Sequence, residues 1–369
     1  MRNLTYIFIL VISLCACSHK VNSEGDTKKV EILLQSSSEE PSLLDNIFNV
    51  DSLVQLETAP ECMITNIKRL LFYKGCYYVL DNYIQQSVIV FDSTGHFQHK
   101  IGQCGHGQGE YVSIEDFAID IEGERLIILS DNSTVFVYAL NGNFLFKKTL
   151  DTSLLWNIAS NSKGFLLTSN HLTYTSGENA YLFYFFDKDF NLKKKFYNVL
   201  PEQMHAMSSI SSNLYSFNDK FVYTDMYSYQ SFIINIFGDI DGCYWFHLSN
   251  PMPQKYFRDS NMFMEEQLNY DYILDNMFVD DIFITFFYQN GKANVALIDK
   301  YGSVVKNNSF YGIIPKLLFT DGKAIVTAFN VSDIKVMSKY CKFPIHDIEI
   351  TPECNMVIAH LKPNNRKRE

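Results

Sequence analysis

Positive charge is short in this chain: 31 Lys and Arg face 41 Asp and Glu, for a formal net charge of -10. A phosphate backbone is gripped by Lys and Arg, so the balance argues against non-specific nucleic-acid binding. The nine His, among them His96, His99, His106, His171, His205 and His247, show no HExxH or comparable spacing, and no metal is assigned to them. No GxSxG elbow is present, which leaves a serine hydrolase without local support, and the repeated Asp-box of sialidases is missing. No CxxC pattern occurs either. The apolar run near the start, Tyr6 to Leu14, is too short to cross a bilayer as a helix.

What the chain does have is core material. Its 369 residues are 47% hydrophobic and 15% aromatic, with 30 Phe and 23 Tyr, a bias towards strands that favours an all-β fold. Arg2 ahead of the apolar run fits an export signal over residues 1–16. Leu14-Cys15-Ala16-Cys17 resembles a bacterial lipobox, in which cleavage leaves a cysteine that carries lipid, so Cys17 is the expected lipidation site and membrane anchor; the alternative is an ordinary signal peptide with a coincidental cysteine, or a buried hydrophobic N-terminus. Residues 17–49 are polar with little periodicity, and are expected to form a flexible tether.

From Asp51 the texture changes to short apolar runs ending in Asp, Asn or Gly, as in CYYVLD (Cys76–Asp81) and SVIVFD (Ser87–Asp92). These runs come in pairs, and the second of each pair leads into turns such as FDSTG, ALNG and FDKDFN. Gly95 and Gly142 lie 47 positions apart, and Asp92 and Asp187 lie 95 apart, about two such periods. A period in the forties with several strands per unit marks propeller blades, whereas a β-sandwich has no reason to repeat at fixed length. Units near 63–102, 112–150, 155–200, 208–250, 277–311 and 313–361 predict a six-bladed β-propeller over 50–363, followed by a polar tail at 364–369. A strand around Leu53–Glu57 is free to complete the last blade and remove a sheet edge. Residues 251–276, rich in Met, Phe and Tyr, are predicted to be an insertion, either packed on one face of the ring or a plain long connection.

The segment IGQCGHGQGEY (Ile101–Tyr111), preceded by FDSTGHF and followed by Asp116, Phe117 and Asp120, resembles the six-bladed β-propeller lipoproteins of Bacteroidetes, relatives of NHL-repeat propellers. Val54–Thr58 and Val357–Lys362 sit where that family has its opening and closing strands, so the resemblance spans about residues 50 to 362. Gln108 departs from it by replacing a proline, which frees a fixed φ. The sixth unit matches poorly between Val331 and Lys342. The resemblance implies the fold and an envelope lipoprotein at the outer membrane, with the face it occupies left open. It implies no chemistry.

Candidate residues are few. Gly102, Gly105, Gly107 and Gly109 invite comparison with a phosphate-cradling loop, but neither a Walker lysine nor a following helix is evident, and a crossover between blades explains them. With Asp92 and Gly95 they form the structural motif of the repeat. Glu110 and Tyr111 are the candidate ligand-binding residues, because a blade-connecting loop can face the channel; the structural alternative packs Tyr111 between blades. Asp81, Asp131 and Asp225 close turns or, alternatively, line a calcium site. Cys341 and Cys354 form the candidate disulfide, since both fall in the last unit, with buried free thiols the alternative. Asp51-Ser52-Leu53 and Asp92-Ser93-Thr94 resemble the short O-glycosylation pattern of Bacteroidetes envelope proteins. The expected function is a non-catalytic binding or scaffolding module for a protein or glycan, with no cofactor; the alternative is a calcium-dependent enzyme of lactonase or lyase type.

Overall fold

The computed structural model describes residues 28–37, 46–152, 154–169, 181–199, 213–309, 313–337 and 354–364. Two strands, β1 (Lys28–Leu33) and β2 (Phe48–Gln55), precede the blades. Blade 1 holds β3 (Arg69–Tyr73), β4 (Cys76–Asp81), β5 (Ser87–Asp92) and β6 (Phe97–Ile101); blade 2 holds β7 (Asp116–Asp120), β8 (Arg125–Ser130), β9 (Thr134–Ala139) and β10 (Phe144–Thr149). Blade 3 holds β11 (Asn157–Ser160), β12 (Gly164–Thr168), β13 (Tyr181–Asp187) and β14 (Leu192–Asn198). Blade 4 follows with β15 (Asn213–Phe217), β16 (Lys220–Asp225), β17 (Gln230–Ile234) and β18 (Ile240–His247), and blade 5 with β19 (Tyr272–Val279), β20 (Ile282–Gln289), β21 (Lys292–Asp299) and β22 (Val304–Ser309). Blade 6 is β23 (Phe319–Thr320), β24 (Ile325–Phe329) and β25 (Val357–Pro363), with β2 as its fourth strand. The protein is therefore an all-β, six-bladed propeller.

The recurring FDSTG-like turns have one physical cause. In blades 1 to 5 the amide of Gly95, Gly142, Phe190, Gly238 or Gly302 bonds back to the carbonyl three residues earlier, at 2.9–3.0 Å. Each of these residues has positive φ, and the strand register then slips by one. That is a type I turn followed by a bulge, which needs a left-handed residue at this position. The Asp92 side chain accepts amides from Thr94 and His96, and Asp187, Asn235 and Asp299 do the same in their own turns. A carboxylate so bonded favours its charged form. Although burial opposes it, bonds from Lys193, Asn191 and Asp189 hold Asp187 down to about 2.

Ring closure follows the expectation. β2 pairs antiparallel with β25, and the Asn355 side chain ties the joint by donating to the Glu57 and Cys62 carbonyls and accepting from the Ile64 amide. The closing strand is Phe48–Gln55, slightly earlier than the predicted Leu53–Glu57.

The flexible tether predicted over 17–49 is overturned in part. Lys28–Leu33 form β1, which pairs in parallel with β18 and gives blade 4 a fifth strand. Val30, Ile32 and Leu34 alternate with Lys29, Glu31 and Leu33, and the first three are buried against Tyr244, Phe246 and Phe283. The chain continues beside blade 5, where Asn290 bonds the Ser36 hydroxyl and Asn307 bonds the Gln35 carbonyl. Residues 1–27, including Cys15 and Cys17, lie outside the described residues.

The predicted insertion is corrected at its end: Tyr272 to Asn276 already belong to β19. The remaining insertion carries a 3-10 turn (Gln254–Arg258) and α1 (Ser260–Glu266), capped by Asp259 accepting from the Asn261 and Met262 amides. Met252, Phe257 and Phe263 bury against Tyr227, Tyr229 and Tyr272, so it packs on one face of the ring. A second short helix, α2 (Val331–Met337), fills the poorly matching part of the sixth unit.

Candidate ligand site in the central channel

Because every blade is an antiparallel meander, each innermost strand starts on one face of the ring and ends on the other. Connections between blades share the starting face with the second turn of each blade; the first and third turns share the opposite one. We refer to these as the connection face and the turn face. The innermost strands β3, β7, β11, β15, β19 and β23 surround the channel.

A single ion pair divides that channel. Arg69, on β3, meets both carboxylate oxygens of Asp116 on β7 and donates at 2.9 Å to the Leu214 carbonyl of blade 4. Asp116 also accepts the Ile158 amide of blade 3 at 3.0 Å. Four blades are thus joined through two side chains, which are 11% and 1% exposed. The bidentate guanidinium–carboxylate geometry is the strong form of such a bond.

On the turn face below this pair lies an apolar pocket of about 170 Å³, lined by Leu71, Tyr73, Ile119, Ile121, Tyr215 and Phe319, among others. Ile121 is 63% exposed at its edge. A second hollow continues from it past Ser160, Asn161, Ser216 and Asp219. The pocket therefore has an aromatic and aliphatic floor and a polar rim, the usual composition of a site that binds by burial and orients by hydrogen bonds. Nearby, Asp120 is committed to structure: it pairs with Arg125 at 2.9 Å and Lys188 at 2.6 Å. Burial opposes its charge, but these bonds outweigh burial and keep its carboxyl below the ordinary range.

The residues predicted as ligand contacts are elsewhere. Glu110 is half-buried in the glycine-rich loop, where its carboxylate accepts the Gly107 amide at 2.7 Å and the Gln103 side chain. Those bonds lower its pKa. The hollow beside it is lined by Asp131, Phe136, Lys147 and Thr149, from the outer part of blade 2, so the expectation that Glu110 faces the channel is corrected. The loop curls around the carboxylate: a Cβ on Gly105 would stand 2.0 Å from Glu110 Oε2. Tyr111 is buried between blades 1 and 2, its hydroxyl donating to the Gln86 carbonyl at 2.8 Å and its ring edge-on to Phe136. Gly102 lies against that ring, and its added Cβ would meet Tyr111 at 2.7 Å. The motif is a blade crossover.

Asp81 and Asp225 close turns, accepting amides from Tyr83 and Ile84 and from Tyr227. Asp131 accepts from the Ser130 hydroxyl. Among the described residues no three His, Cys, Asp or Glu side chains converge on a metal-sized site. Cys341 lies outside the described residues, and its pairing with Cys354 with it. Cys62, Cys76, Cys104 and Cys243 are free thiols, and burial pushes the Cys243 thiol up to about 12.

The family model described as 6-bladed beta-propeller, DUF5128, matches residues 21–334. The chain belongs to this family. A Bacteroides fragilis NCTC 9343 protein named as exported superposes on this DUF5128 propeller with a TM-score of 0.69 at 16% identity, covering 91% of this chain and 99% of its own. A DUF4221 member from Bacteroides vulgatus ATCC 8482 gives 0.61 at 8% identity, covering 86% and 98%. At such identities the likeness speaks to the fold. A search of curated protein sequences finds no match.

In the sequence Arg69 belongs to no motif, and Asp116 enters only through the family resemblance, with no role attached to it. Their signal was weak: each begins an apolar strand, where a charged residue reads as a turn end.

Proposed function

We propose that this protein is a lipid-anchored, non-catalytic binding propeller of the cell envelope, which holds a glycan or protein ligand at the turn-face mouth of its channel. The observation that carries the reading is the apolar pocket of about 170 Å³ with its polar rim and the exposed Ile121 beside it. Aromatic walls bury the flat faces of a ligand, and the serine and asparagine rim offers hydrogen bonds. Anchoring rests on the Leu14–Cys17 sequence. With β1 already docked at Lys28, only residues 18–27 separate it from Cys17, a reach of at most about 40 Å. The outer edge of blade 4 is then held close to the membrane.

Two steps test this. The wild-type chain is expected in the membrane fraction and Cys17→Ala in the soluble fraction; a Cys17→Ala protein that stays with the membrane removes the anchor. The released protein is then screened by thermal shift against purified polysaccharides and peptides, since a ligand bound to the folded state raises Tm. The shift should vanish in Ile121→Asp, and a shift that persists moves the site elsewhere. Stabilisation by calcium alone would favour the lactonase or lyase reading.

A further inference from the structure

The connection-face mouth of the channel holds a different kind of void. On that side of the Arg69–Asp116 pair is a space of about 40 Å³ lined by Lys68, Arg69, Asn157, Tyr215, Met277 and Lys316, among others. Lys68 enters from the start of blade 1 and Lys316 from the segment leading into β23.

Three cations share this small space, and the acids near it are engaged. Both Asp116 oxygens bind Arg69, and one also takes the Ile158 amide. Asp275 accepts the Leu317 and Asn276 amides, each at 2.8 Å. Glu115 takes the Ser113 hydroxyl and approaches Lys68 only to 3.8 Å, beyond hydrogen-bond range. Lys316 donates to one neutral acceptor, the Ile67 carbonyl, at 2.9 Å. An ammonium carries three donors, so both lysines retain bonding capacity.

Desolvation is costly for such groups. Burial is the main force pushing both lysines below their ordinary value, helped by Arg69 for each and by Lys68 for Lys316, and opposed by the neighbouring acids. An incoming anion offsets the solvation that burial removes from both ammonium groups and accepts from their remaining donors.

We propose that this mouth is an oxyanion site, in which Lys68 and Lys316 together hold one carboxylate or phosphate group of a ligand beside Arg69. The void admits a single small group, so the anion is the end of a molecule and not a polyanionic surface. This inference is independent of the apolar pocket, which lies on the other side of the ion pair.

The full-length protein is titrated calorimetrically with sodium acetate and, separately, with sodium phosphate, ionic strength being held constant with sodium chloride. Saturable millimolar binding is expected in at least one arm, and the arm that binds identifies carboxylate or phosphate as the preferred group. Lys68→Met and Lys316→Met should each weaken it about tenfold or more, while Lys323→Met, at an exposed turn of blade 6, should leave it unchanged. Failure of the wild-type protein to bind either anion overturns the proposal, and that measurement needs no variant to fold. Binding that survives both channel variants, or falls equally in Lys323→Met, overturns it as well.

Discussion

Gly95 has no room for a side chain. Its φ is +92°, and a Cβ there would stand 2.1 Å from the Gln55 carbonyl oxygen of the ring-closing strand. Gly75 also has positive φ, at +75°, but its Cβ would meet nothing within 4 Å. Gly75→Ala is therefore expected to cost the left-handed penalty alone, about 1 kcal/mol. Gly95→Ala adds displacement of β2 and should cost about 1–3 kcal/mol more. Urea unfolding of the two variants checks this; equal losses would mean that the turn shifts without disturbing the closure. At the same scale, Glu110 shows how a glycine run can mislead. The glycines make room for an internal carboxylate, and the sequence alone does not say whether such a loop surrounds its own residue or a ligand.

Among the elements, β1 adds most to what the blade count implies. Val30, Ile32 and Leu34 alternate with outward residues, the period of a half-buried strand, so the signal was present in KKVEILL. It was masked by the polar residues on either side, which set the character of the whole 17–49 stretch. What the alternation could not supply is the partner: parallel pairing with β18 depends on a strand edge more than 200 residues away. Ile32 is fully buried, and Ile32→Ala should cost about 2–4 kcal/mol if β1 unfolds together with the ring. Chemical denaturation reads the loss directly. An unchanged midpoint would show that β1 opens on its own, as a local unit of low stability.

For the whole molecule, Arg69 and Asp116 act as a cross-brace. They tie blades 1, 2, 3 and 4 at the channel axis, where inner strands of successive blades meet through side chains and not through a shared ladder. Removing one member of a buried pair leaves the other charge uncompensated, which typically costs about 3–5 kcal/mol. Asp116→Ala is expected to destabilise by that amount, and a loss below about 1 kcal/mol, the range of surface pairs, would show that the ring does not depend on the brace. Thermal unfolding followed by circular dichroism distinguishes the two. The brace also splits the channel chemically, into an apolar pocket on the turn face and a cationic void on the connection face.

The sequence alone determined the repeat, the blade number and the closing strand, because each rests on local patterning. Alternating apolar runs, a turn that requires a left-handed residue and a fixed period are all written along the chain. Tertiary structure decided which residues stand at the channel. Arg69, Asp116, Lys68 and Lys316 lie up to 248 positions apart and converge only when six sheets close into a ring. The electrostatics of that convergence depend on burial and on partners from other blades, neither of which is carried by a local run of residues.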